Sequence, residues 1–164
     1  RLGPNNWQAD KILSEIAAMT VGVVKKDFAN ITKENAKTPG EQLYAIHGIT
    51  GIRGQAEKGF PAVKDVGLPI LKEGLKKGLS LNDAGTVALL HLLTVTEDTN
   101  IIHRTDIGTY ESVRAEIRAL LLDNSFPDLD AIAALDDDFI CRNISPGGTA
   151  DLLAATYFLF FLKN

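Results

Sequence analysis

Between Val87 and Leu93 the chain reads Val-Ala-Leu-Leu-His-Leu-Leu, a run that is apolar all round when wound as a helix. A helix with no polar face to give to water must be covered on every side. The spacing of apolar residues elsewhere says that the cover is itself helical. Trp7, Ile12, Ile16, Met19 and Val23 recur every three to five residues, which predicts a first helix over about 6 to 29 with Asn5 or Asn6 as N-cap. Thr38-Pro39-Gly40 punctuates the chain, and Glu41 to Glu57 reads as a second helix, carrying Gly48, Gly51 and Gly54 on one stripe of small residues. Pro61 suits the first turn of a third helix ending near Lys77, with Val63, Val66, Ile70, Leu71 and Leu75 inward.

Ser80 or Asn82 caps the fourth helix, which contains the apolar run and leads into Glu97. A fifth is expected from Tyr110 to Leu122, a sixth from Leu129 to Ile140 and a seventh, entered through Gly147-Gly148, from Thr149 to Leu162. No segment reads as a strand. The expectation is an all-α bundle of about seven helices in one domain over residues 1–164, with short connections.

Composition narrows the function classes. A net charge of -4 argues against nucleic acid as a partner, since phosphate binding leaves a basic patch. Any anionic ligand must be held by a few local cations. The single cysteine, Cys141, excludes an intramolecular disulfide and a cysteine zinc site, and fits a reducing cytoplasm. The apolar stretch Leu152 to Leu162 has about half of the roughly 20 residues that span a bilayer, so it reads as a core helix and no membrane is expected. The opening Arg1-Leu-Gly-Pro-Asn-Asn reads as the inside of a longer polypeptide.

Three polar clusters interrupt the helix-forming sequence: Gly51 to Pro61, Glu97 to Arg104, and Ser145 to Asp151. Charged groups beside apolar surface cost free energy unless they meet one another, a metal or a ligand, so three such clusters in a small domain suggest one shared pocket. If the fourth helix runs on to Arg104, Glu97, Asn100 and Arg104 share a stripe, with Thr99 and His103 on the next. The bland alternative is a solvated helix end with Glu97 paired to Arg104. Asp98 is the candidate for a hard cation, with Glu97 beside it.

Arg53 and Glu57 stand four residues apart, which alone means a modest surface ion pair; next to bare glycine backbone, Arg53 becomes a candidate planar partner for a phosphate. Ser145-Pro-Gly-Gly-Thr149 precedes a helix, so Gly147 and Gly148 could seat an anion on backbone N–H groups. Asp151 is explained equally by first-turn electrostatics, although Asn143 and Ser145 nearby suggest more. There is no phosphate loop of the G-x-x-x-x-G-K-[ST] type, no G-x-G-x-x-G after a strand and no H-E-x-x-H, so nucleotide binding would need an all-helical pocket.

Taken together the clusters resemble the triphosphoribosyl-dephospho-coenzyme A synthase family, which supplies the prosthetic-group precursor of citrate lyase and has a close relative in malonate decarboxylase systems. The resemblance rests on R-G-x-x-E-x-G-F-P over Arg53 to Pro61, Leu81-Asn-Asp-Ala-Gly85, Glu97-Asp-Thr-Asn100 with His103-Arg104, and Asn143 through Ala154. Order and spacing match along nearly the whole chain. The further N-terminal part of the family, with Gly/Asn/Asp and Thr-His-Lys-Gly motifs, is not found here, so the chain looks like a C-terminal portion.

The resemblance implies transfer of the triphosphoribosyl group of ATP to the ribose 2′-hydroxyl of 3′-dephospho-coenzyme A, with release of adenine. A partner transferase then loads the product onto an acyl carrier protein. The side chains suit such chemistry, because displacing a base from a ribose passes through an oxocarbenium-like state that wants nearby negative charge, a base and cations for the phosphates. Glu97 or Asp98 is assigned to Mg²⁺ and transition-state charge, with Asp151 as the alternative base. Arg53, His103 and Arg104 are assigned to phosphate beside Gly147-Gly148, and Glu57, Asn100, Asn143 and Ser145 to substrate. The rival reading is a non-catalytic nucleotide-binding or homo-oligomerisation module.

Overall fold

The computed structural model describes residues 4–162; the side chains of residues 4–8, including Trp7, lie outside the described set. Every element among the described residues is helical: α1 (Pro4–Thr20), α2 (Val23–Asp27), α3 (Pro39–His47), α4 (Gly51–Glu57), a π-helical turn (Val63–Gly67), α5 (Leu68–Lys76), α6 (Leu81–Val95), α7 (Thr99–Arg104), α8 (Ile107–Asp123), α9 (Leu129–Cys141) and α10 (Gly147–Phe161). The all-α class holds, but about seven helices is too few. Three of the expected helices each divide in two.

The reasons are local. Gly22 takes φ 74 and separates α1 from α2, and Gly48 takes φ 70 and closes α3, conformations that residues with a side chain seldom adopt. The third break follows α6, where the Thr96 hydroxyl donates back to Leu92 O at 2.9 Å and Thr96 turns extended. Asp98 then caps α7 as a new helix, so Glu97 sits in a turn rather than on a stripe with Asn100 and Arg104. At the other end of the chain α1 already contains Asn5 and Asn6, so neither is its cap.

The expected third helix is continuous from Pro61 to Lys76, but its first turns widen: Leu68 N–H donates to Val63 O, five residues back. Pro69 accounts for this, because it offers no N–H and its ring would press on the Asp65 carbonyl in regular α geometry.

α6 is the central helix. Leu90 and Leu93 join one apolar cluster with Ile101, Tyr110, Val113 and Ile117, Leu92 joins a second with Leu13, Val63, Leu152 and Leu159, and Ala84 and Ala88 join a third with Leu71. The cover demanded by the apolar run is thus supplied by α1, α5, α7, α8 and α10. No helix among the described residues is long and apolar enough to cross a membrane.

Candidate active site

The site is organised by one buried carboxylate. Asp98 is 1% exposed. Its Oδ1 accepts from the N–H groups of Asn100 at 3.0 Å and Ile101 at 3.2 Å, capping α7. Its Oδ2 accepts from Thr149 N–H and Thr149 Oγ1, both at 2.7 Å, in the first turn of α10. One side chain therefore caps two helices whose N-termini converge, where two positive dipole ends would otherwise face each other. Thr149 is fully buried, and its Oγ1 lies 3.2 Å from Thr96 Oγ1. The Tyr110 hydroxyl donates to Thr96 O and closes this dry network; burial pushes its phenol above the ordinary tyrosine range.

Beside the network lies a cavity of about 380 Å³. Its wall comes from α4 (Gly51, Ile52, Gln55), from the α6–α7 segment (Thr96, Glu97, Thr99, Asn100) and from the start of α10 (Gly147, Gly148, Asp151, Leu152). Glu97 reaches back to the α3–α4 break, where its Oε2 accepts from Thr50 N–H at 3.2 Å. Asn100 Nδ2 donates to Ser145 O at 2.9 Å and so holds the loop that enters α10. Gly51, at φ 55, lies so close to α7 that a Cβ there would stand 3.0 Å from Thr99 Cγ2. The glycines expected on one helical stripe thus serve separate ends, and the close approach at Gly51 is to a neighbouring helix.

Among the sequence candidates, Glu97, Asn100, Gly147, Gly148 and Asp151 share the cavity wall, with Asp98 behind it and Ser145 tied to Asn100. The expected cations do not join them. Arg53 Nε donates to Asp27 Oδ2 at 2.9 Å with its guanidinium over the Phe28 ring, and Glu57 Oε1 accepts from Gly22 N–H at 2.6 Å, so both serve the α1–α2 region. Arg104 Nη2 donates to Asn143 Oδ1 at 2.5 Å, and His103 is exposed at the end of α7; neither lines the cavity, nor does Asn143. An adjoining cavity of about 190 Å³ shares Gly51, Gln55 and Glu97 and adds Lys58.

The anion seat expected at the start of α10 is largely taken. Gly147 N–H goes to Ser145 O, Thr149 N–H to Asp98 and Ala150 N–H to Pro146 O, so at most one of the first four remains for a ligand. Sequence reasoning missed Gln55, Thr96, Thr149 and Tyr110. Gln55 stands four residues after Gly51 and could have been found on that spacing. The other three show their role only once α6, α8 and α10 are packed.

The family model described as ATP:dephospho-CoA triphosphoribosyl transferase matches residues 5–164. The chain belongs to this family. It is 33% identical over 164 residues to a probable 2-(5''-triphosphoribosyl)-3'-dephosphocoenzyme-A synthase of Malonomonas rubra, covering 97% of this chain and 52% of that protein. It is 35% identical over 153 residues to a protein of the same name from Streptococcus equi subsp. equi, covering 91% of this chain and 51% of the relative. The chain spans about half the length of the curated relatives it matches. No solved structure matches it.

The donor set can be weighed against Mg²⁺. Asp98 has both oxygens engaged by N–H and O–H donors, and no group of three or more His, Cys, Asp or Glu that could hold a metal occurs among the described residues. Mg²⁺ is usually held by one or two carboxylates together with substrate phosphates and water. Glu97 and Asp151 on one cavity wall fit that pattern; an all-protein cage does not.

Proposed function

We propose that the chain is the C-terminal portion of an enzyme that moves the triphosphoribosyl group of ATP onto the 2′-hydroxyl of 3′-dephospho-coenzyme A, releasing adenine. The observation that carries this reading is the meeting of Glu97, Asn100, Gly147, Gly148 and Asp151, from segments far apart in sequence, on one cavity. Among the described residues, the wall of that cavity holds two carboxylates and no Lys, Arg or His. Such a wall suits the positive charge that develops on a ribose losing its base better than it suits a triphosphate.

In the reaction, the acceptor hydroxyl oxygen forms a bond to the ribose C1′, the bond from C1′ to adenine breaks, and adenine leaves with the electron pair and takes up a proton from water. Asp151 takes the hydroxyl proton. Glu97 stabilises the ribosyl charge, and it is also the residue that would hold Mg²⁺. When bound, that ion neutralises phosphate charge. Asn100 and the Gly147-Gly148 turn shape the pocket for the sugar. The product would pass to a partner transferase that loads an acyl carrier protein, in a citrate lyase or malonate decarboxylase system.

The test is adenine release from ATP with dephospho-coenzyme A present, for the full-length enzyme that contains this chain and for its Glu97→Gln and Asp151→Asn variants. Both variants should fall by roughly 100-fold or more in kcat while keeping the wild-type melting temperature. A folded full-length protein that binds ATP without releasing adenine would favour the non-catalytic nucleotide-binding reading.

A further inference from the structure

We infer that Asp98 is a positioning residue, the tie that fixes the two walls of the cavity against each other. This rests on the transfer reaction proposed above. Asp98 touches both walls and faces neither substrate nor open water: at 1% exposure its Oδ1 holds the first turn of α7 and its Oδ2 the first turn of α10. Glu97 and Asn100 flank it on one side, and Gly148 packs against it on the other, where an added Cβ would stand 3.4 Å from Oδ1. Asp151 follows Thr149 by two residues.

The geometry makes the tie selective for an aspartate over its amide. Four donors converge on two oxygens, which an amide cannot match, since its NH₂ would meet the Thr149 N–H donor head on. Shifting either N-terminus would move Glu97 relative to Asp151, and displacements of about 1 Å can cost about 100-fold in rate. Thr149 is the informative partner. It donates to Asp98 twice, and its fully buried hydroxyl is already engaged with Asp98 and Thr96, so altering that hydroxyl loosens the tie and leaves the carboxylate in place.

The experiment uses the full-length enzyme that contains this chain, with Thr149→Val, Thr149→Ser and Asp98→Asn. Amide hydrogen exchange is read by NMR at Asn100, Ile101 and residue 149, and adenine release is read across a Mg²⁺ titration. For Thr149→Val the inference expects exchange at these amides to rise about tenfold and kcat to fall about tenfold, with the Mg²⁺ half-saturation and the KM for ATP unchanged. Thr149→Ser, which keeps both bonds, should restore wild-type behaviour. Asp98→Asn should lose more, about 100-fold in kcat, again at unchanged Mg²⁺ half-saturation.

A Thr149→Val chain with wild-type exchange and turnover would overturn the inference. So would an Asp98→Asn chain whose Mg²⁺ half-saturation rises severalfold, because Asp98 would then be a metal ligand. Should Asp98→Asn fail to fold, the Thr149 pair decides. If the full-length enzyme that contains this chain releases no adenine, the transfer reading fails on its own, and the exchange rates at α7 and α10 still accept or reject the tie.

Discussion

Two corners of the molecule use the same residue types to different effect. Where α7 meets α10, Asp98 accepts four hydrogen bonds in a space closed to water. Where α4 meets α2, Glu57 accepts one from Gly22 N–H, and Arg53 pairs with Asp27 while the two side chains remain 47% and 36% exposed. Both corners read alike in sequence, as a carboxylate with polar neighbours at helical spacing. Burial separates them. A donor in the dry corner has no water to replace a lost acceptor, whereas the wet corner exchanges its partners with solvent at little cost.

The strongest way to break this comparison is Asp98→Ala, which leaves the Asn100, Ile101 and Thr149 N–H groups without an acceptor. A destabilisation of about 3 to 5 kcal/mol is expected in chemical denaturation. A loss below about 1 kcal/mol would mean that water reaches the corner and that the two regions are energetically alike. Tyr110→Phe should cost less, about 1 to 2 kcal/mol, by removing the donor to Thr96 O.

The same residue gives an alkaline signature. Burial raises the Tyr110 pKa in the folded state, so the stability tied to its neutral form is complete below the unfolded value of about 10 and disappears as pH rises through the folded value. Wild type should therefore lose stability above about pH 10, and Tyr110→Phe should lose less over that range. Equilibrium unfolding at stepped pH checks this.

At the wet corner, Arg53→Ala should change stability by less than about 1 kcal/mol, less still in high salt, and leave adenine release within about twofold. A large rise in the KM for ATP would return Arg53 to the site and erase the contrast. The smallest effect belongs to an exposed cap. Asp106 accepts from Thr109 N–H and Oγ1, and those bonds lower its carboxyl pKa, the backbone one most. Its contribution is present above the unfolded value of about 3.9 and is lost as pH falls through the lower folded one. Asp106→Asn should flatten the acid limb of a pH–melting curve slightly.

Much of this was legible in the sequence, and what was missed has physical causes. The apolar run on α6 announced a central helix because every side of it needed cover, and Ser80 capped it as expected, accepting from Asp83 N–H at 3.1 Å. The breaks at Gly22 and Gly48 were hidden, since a glycine inside a helical pattern is tolerated at a cost of about 1 kcal/mol and spacing alone does not tell it from one that ends the helix. The break after α6 was hidden more deeply, because Thr96 and Asp98 look like continuing helix until α10 supplies Thr149. Glu97 and Asp151 were legible as candidates because each sits in a polar cluster beside apolar helix, and the fold brings both to one cavity wall although each also had a bland reading as a solvated or capping charge. Arg53 and Arg104 were misplaced because their partners, Asp27 and Asn143, lie too far away in sequence for spacing to reveal.

The wide turn before Pro69 makes the chain sensitive to a change in length at that point. Each residue advances an α-helix by about 100°, so removing one residue between Val63 and Gly67 would wind Leu68, Leu71 and Leu75 about 100° around the axis relative to Val63. Leu71, fully buried under α6, would swing towards solvent, and Pro69 would be pushed into regular geometry without the room it now has. The segment from Ile31 to Lys37 lies in no helix and could absorb the same deletion locally. Homologous chains of differing length should therefore carry their gaps there, with none across the five residues of the wide turn.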